Sequence, residues 1–180
     1  MIKMKGIIIK AISLSMLLVS SLVYACGDNP NAIVQGPFKD SVFNNGVICF
    51  QHSPDKKDIY FYQSYSSASG NINKIIDTFI YSDAPAEVSS VFFTTIAGKR
   101  NVVVLLRWNV NYFTNGVQYP YYYEVKVYNA TKDSGYELFL DSDRDPNLSG
   151  FQTKHNKKES NYKLDSASKI REYLRTKYGE

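Results

Sequence analysis

The sequence predicts an α+β protein, a mainly antiparallel β-sheet with a C-terminal α-helix packed on it. Three observations point there. Short runs rich in Val, Ile, Phe and Tyr recur between turn residues across residues 47–140, which is strand composition. Residues 102–112 and 121–128 alternate with the two-residue period of a strand. Only beyond Asp165 does the period change, with Ala167, Ile170, Tyr173, Leu174 and Tyr178 recurring at helical spacing.

The chain opens with a targeting pattern. Lys3, Lys5 and Lys10 precede an apolar run over 11–23, and Val23 and Ala25 stand three and one places before Cys26. A positive start, a short apolar stretch and an A-x-A-like site predict a signal peptide over 1–25 and a single binding domain over 26–180. The run is too short to predict a membrane span. Export then explains the charge. Of 21 Lys plus Arg, three lysines fall in the signal with no acid, leaving 18 against 17 Asp plus Glu. The basic balance therefore argues for no nucleic-acid partner.

Each later element has its own local reason. Residues 26–38 are rich in Gly, Pro and Asn and are expected to be an irregular lead-in. Asn44-Asn45-Gly46 marks a turn. Residues 47–50 and 59–62 are strand-like on either side of Ser53-Pro54-Asp55-Lys56-Lys57-Asp58, a hairpin pattern. Residues 64–73 are a serine-rich connection. Residues 75–81 fit a helical stripe, but their β-branched and aromatic content favours a strand. Residues 91–96 and 102–112 form strands around Gly98-Lys99-Arg100-Asn101. In the second, Val104, Leu106, Trp108, Val110 and Tyr112 face one way, and Val103, Leu105, Arg107, Asn109 and Asn111 the other, so its first half is expected to be buried on both sides. Asn115-Gly116 is a hairpin signal set in a loop expected to exceed two residues. Pro120 opens a half-exposed strand over 121–128, and Lys132-Asp133-Ser134-Gly135 turns the chain into 136–140. Residues 141–160 are polar and loop-like. Asp165 or Ser166 caps the terminal helix, with Lys177 in its last turn and Gly179 just beyond. Five to seven strands are expected.

Cys26 and Cys49 are the only cysteines. Either they form a disulfide in an oxidising compartment, or Leu22 to Cys26 is a lipobox and Cys26 anchors the chain to a membrane. The lipid reading leaves Cys49 as an unpaired thiol in an oxidising space, which favours the disulfide.

No catalytic constellation emerges. Asp141, Asp143, Asp145 and Asn147 have calcium-loop spacing. However, Pro146 stands where the loop needs glycine, Gln152 where it needs a glutamate, and Arg144 neutralises one acid, so a solvated acidic loop is expected. His52 and His155 have no further ligand at metal spacing. No G-x-S-x-G elbow is present, and Cys49 and His52, three apart on a strand, would face opposite sides. No enzyme activity, metal or cofactor is expected. Lys157, Lys158 and Glu159 form a solvated charge run. Tyr119, Tyr121, Tyr122 and Tyr123 are expected to divide between core and an exposed aromatic patch beside the hairpin, a candidate protein-binding face.

Residues 102–174 carry a resemblance. A buried strand enters a polar loop (VVVLLRWNVNYFTNGVQY), followed by YYYEVKVY, a loop ending DPNLSG and a terminal helix (KLDSASKIREYL). This arrangement resembles small periplasmic immunity proteins associated with type VI secretion effectors of Gram-negative bacteria. The family's acid-poor glycine loop is replaced by Asp141, Asp143 and Asp145. The resemblance implies a protein that binds and inhibits a cognate secreted effector enzyme. Tyr119, Tyr122, Asp141, Asp143 and Arg144 are the candidate contacts. The alternative is an envelope β-sheet module that binds glycan or another envelope protein.

Overall fold

The computed structural model describes residues 26–43, 45–131, 135–156 and 158–179. The signal-peptide expectation over 1–25 and most of the expected turn at 132–135 lie outside them. Within the described residues the fold class is as predicted: antiparallel β-sheet with a C-terminal helix.

The first sheet, sheet A, is a meander of β1 (Ile33–Asp40), β2 (Gly46–His52), β3 (Ile59–Ser67) and β4 (Gly70–Phe79). Its β2–β3 turn is built as its residues predict. Ser53 Oγ donates to Asp55 at 2.6 Å, the Asp58 amide donates back to Ser53 Oγ, and Lys56 takes a positive φ. Two segments differ from expectation. The lead-in at 26–38 contains most of β1, hidden in sequence by Gly36 and Pro37. It is an edge strand with two register shifts, where a proline costs no ladder bond. Gly36 is needed there, because its φ is +94° and a Cβ would meet the Ile48 carbonyl at 2.9 Å. The serine-rich 64–73 is not a connection either. Ser67 pairs with Gly70 across a two-residue turn, and Ser64 pairs with Asn73 within the ladder.

Sheet B runs β10 (Gly135–Leu138), β9 (Tyr122–Thr131), β6 (Lys99–Trp108), β5 (Ala86–Ile96), with the short β11 (Ser149–Phe151) on the other end of β9. The β5–β6 turn is Ala97-Gly98, both at positive φ, one step earlier than predicted. Strand β6 stops at Trp108 rather than continuing to 112, and Asn111 at φ +43° turns the chain into a separate strand.

The inner faces of the two sheets enclose one core, with Ile48, Phe50, Ile59, Phe61 and Phe79 from sheet A meeting Val102, Val104, Leu106, Trp108, Tyr128 and Tyr136 from sheet B. Polar ties close it: the Tyr128 hydroxyl donates to Asp77 at 2.7 Å and the Tyr136 hydroxyl to Asp40 at 2.8 Å. Burial and the facing carboxylates push both phenol pKa values up.

The outer face of sheet B carries a second core. Val103, Leu105, Val125 and Val127 pack against Ile170 and Leu174 of the helix α2 (Ala167–Tyr178). Strand β6 is thus buried on both faces over 102–106, as its composition predicts. Ser166 is the N-cap position of α2 and Gly179, at φ +84°, ends it.

The polar region 141–160 is not a loop. It holds a short helix α1 (Leu140–Asp143), a 3-10 turn at Pro146–Leu148, β11, β12 (Thr153–His155) and β13 (Lys158–Ser160). Strands β12 and β13 join β7 (Tyr112–Thr114) and β8 (Val117–Tyr119) in a third sheet, sheet C, ordered β13-β12-β8-β7. Thr114 pairs with Val117, so Asn115-Gly116 is a two-residue hairpin loop after all. The described chain has thirteen strands, not five to seven, because several are only three residues long.

Candidate functional site

One row of side chains links sheets B and C. Register places Ala86 opposite Trp108, Trp108 opposite Tyr122, and Tyr122 opposite Phe151. Directly opposed residues share a sheet face, so this row lies on the inner face of sheet B. At one end small Ala86 and Trp108 are buried under sheet A. At the other the row emerges, with Phe151 48% exposed. The ring contacts continue outward. Trp108 and Tyr122 centroids lie 5.8 Å apart, Tyr122 and Phe151 4.9 Å, Phe151 and Tyr119 5.4 Å, and Tyr119 and Tyr112 5.9 Å. Tyr112 is 57% exposed. The inner face of sheet B therefore projects beyond its cover as an aromatic ledge, rigid at its root and open at its rim. Edge-to-face and tilted ring pairs at these separations are mutually favourable.

Sheet C extends the ledge. Its register puts Tyr112 and Tyr119, then Thr114, Val117, His155 and Lys158, on one face, and Phe113, Gln118, Lys154 and Glu159 on the other. Phe113 is 67% exposed. On that second face the Gln118 amide donates to Asn111 at 3.1 Å.

At the root, a 160 Å³ cavity is lined by Trp108, Leu106, Phe79, Asp77, Glu124 and Lys126, with the exposed Ile80 at its mouth. Lys126 Nζ lies 2.9 Å from Glu124 and 2.7 Å from Asp143. Burial works against its charge, but the two carboxylates outweigh it and the lysine pKa is raised.

The predicted contact residues divide accordingly. Tyr119 and Tyr122 are central members of the ledge, both half-buried. Asp143 joins the same face through Lys126, two strand positions beyond Glu124. Asp141 and Arg144 are exposed on or next to α1, and Asp141 uses its backbone carbonyl to accept from the Tyr178 hydroxyl of α2. The acidic spacing does not gather its side chains. Asp143 turns to Lys126. Buried Asp145 turns to α2, accepting from Tyr173, Tyr178 and Lys177 at 2.7, 3.0 and 2.7 Å. Among the described residues no group of three or more His, Cys, Asp or Glu could hold a metal ion.

Sequence reasoning missed Phe151, and missed Tyr112 as a contact residue. Phe151, Thr153 and His155 alternate with polar neighbours, a strand signal diluted by the surrounding charge.

Cys26 and Cys49 form a buried disulfide on the outer face of sheet A, with Cα atoms 6.1 Å apart. It fastens a segment whose backbone is held further by Gln51, Ser64 and Asn73 side chains. The Tyr62 hydroxyl donates to Asp28 at 2.8 Å, and burial together with that carboxylate pushes the phenol up to about 12. This segment walls a separate 590 Å³ groove with Tyr60, Ile75 and Lys56. The disulfide is consistent with an oxidising, exported compartment.

No protein-family model, curated protein or solved structure matches this chain.

Proposed function

We propose that this chain is a periplasmic immunity protein that binds and inhibits a cognate secreted antibacterial effector enzyme. The observation that carries the reading is the aromatic ledge. Exposed Tyr112 and Phe151 continue a ring stack anchored in the core at Trp108. Rigid aromatic side chains present large contact area at small entropic cost, and such residues dominate the energetics of tight interfaces. The Cys26–Cys49 bridge suits an oxidising periplasm, and a bridged Cys26 sulfur has no valence left for a lipid thioether. Residues 102–174, which carry the resemblance to immunity proteins, supply the ledge apart from the small Ala86.

Inhibition by occupancy needs no chemistry from the binding chain. The purified protein titrated into the enzyme encoded beside its gene should abolish that enzyme's activity at a one-to-one ratio. Undiminished activity with no complex on size-exclusion chromatography would sink the proposal.

A glycan-binding envelope module is the second reading, favoured by the neighbouring rings of Tyr112 and Tyr119 at the open end of the ledge. Open tyrosine rings also suit stacking on a sugar. Soluble peptidoglycan fragments that shift Trp108 emission would support it over the first reading.

A further inference from the structure

The ledge is not uniform in charge along its length. Its outer end carries His155 and Lys158, which sit opposite one another on the ledge face of β12 and β13. No acidic residue among the described residues of sheet C shares that face, since Glu159 lies on the reverse and accepts from Gln152. Its inner end is the opposite. Asp77 and Glu124 line the cavity beside Trp108, and Asp143 closes on Lys126, so three carboxylates face one ammonium. Exposed Asp141 and Arg144 nearby offset each other.

The two ends are separated by the aromatic stretch. Lys126 to Tyr122 is four strand positions, and Phe151, opposite Tyr122, is four positions from His155. At about 3.4 Å per residue along the strands and about 5 Å across the Tyr122–Phe151 pair, the charged ends lie at most roughly 32 Å apart. That is the span of a standard protein interface rather than of a single small ligand.

We infer that the ledge receives a protein surface of fixed polarity: apolar at its centre, acidic where it meets His155 and Lys158, basic where it meets Asp77, Glu124 and Asp143. This inference rests on the reading of the ledge as the effector-binding face. The apolar centre supplies affinity; the opposed charged ends set which way round the partner docks and how fast it finds that orientation. A partner turned end for end would bring like charges together at both ends at once. That penalty gives orientation without any additional contact.

The test is stopped-flow association with the enzyme encoded beside the gene, at low and high ionic strength. Two charge-reversed variants are compared with the native protein. Lys158→Glu reverses the outer end of the ledge. Lys99→Glu makes the same charge change at the start of β6, nine residues along that strand from Trp108. Both lysines are exposed, so each substitution should change folding stability by no more than about 0.5 kcal/mol. The expected result is about a tenfold slower association for Lys158→Glu at low salt, shrinking at high salt, with Lys99→Glu close to native. Equal slowing by both variants would reduce the effect to net charge and overturn the inference, as would no slowing by either. Binding that persists in either of those cases leaves the functional proposal standing. An enzyme that does not bind the native protein at all removes the functional proposal itself.

Discussion

Lys177 places its ammonium 2.7 Å from Oδ2 of Asp145, joining the last turn of α2 to the turn that leads into β11. Tyr173 and Tyr178 donate to the same carboxylate oxygen, and the Asn147 amide donates to Oδ1. The helix is therefore locked to sheet B by a polar clamp as well as by its apolar face.

The clamp predicts an acid-sensitive stability. Burial opposes ionisation of Asp145, but the Lys177 ammonium, the Tyr173 hydroxyl and the Asn147 amides outweigh it and hold its pKa well below the usual carboxylate range. A carboxyl whose folded pKa is depressed contributes fully above its unfolded pKa of about 3.9; the contribution declines as pH falls below that value and is gone only once pH has fallen through the lower folded pKa. Asp145→Ala should cost about 2 to 3 kcal/mol at neutral pH, because it strands two tyrosine hydroxyls and a lysine. Urea unfolding at pH 7 and pH 3 measures both effects. The native-to-variant difference should narrow at the lower pH; a constant difference would remove the ionised carboxylate from the explanation.

The disulfide predicts a redox-dependent stability. Cys26 and Cys49 are 23 residues apart, and closing a loop of that size stabilises by about 3 kcal/mol through the unfolded chain. Cys26→Ser with Cys49→Ser should lower the urea midpoint by a corresponding amount and make it insensitive to reductant. Mass spectrometry of the purified chain should show a two-proton deficit and no diacylglyceryl mass.

Much of this fold is legible because its signals are local. Ser53 and Asp55 make their own turn, Val103 and Leu105 belong to an apolar run long enough to require cover on both sides, and Ile170 and Leu174 sit at helical spacing. What escapes depends on partners distant in sequence. Ile33 to Asp40 becomes a strand only because β2 lies beside it, since Gly36 and Pro37 discourage that conformation locally. Strands β12 and β13 have no apolar alternation, and only the pairing of β12 with β8 on one side and with β13 on the other makes them part of a sheet. The ledge is half visible for the same reason. Tyr119 and Tyr122 stand out in a tyrosine run, whereas Phe151 reaches them through the pairing of β11 with β9.

The layered architecture predicts where destabilisation is largest. Leu174 is fully buried between α2 and sheet B, so Leu174→Ala should cost about 3 kcal/mol, within the range of buried leucine truncations. Hydrogen exchange should show α2 amides losing protection first. A loss below about 1 kcal/mol would mean that the helix contributes little to the second core.

Trp108 is the sole tryptophan and forms the root of the ledge, so its emission reports the occupancy of that surface directly. Phe151 is about half exposed at the rim, two rings away, and its truncation leaves no buried cavity. Phe151→Ala should therefore cost less than about 1 kcal/mol in folding, as exposed substitutions do. If the ledge is the proposed contact surface, the variant should nevertheless bind the effector about 2 kcal/mol or more weaker, because an exposed aromatic anchor of that surface is lost. Complex formation should shift the native Trp108 emission, and the variant should need a correspondingly higher effector concentration to reach the same shift. If Phe151→Ala binds as tightly as the native chain, the contact surface lies elsewhere, and the 590 Å³ groove beneath the disulfide-tied segment becomes the next place to probe.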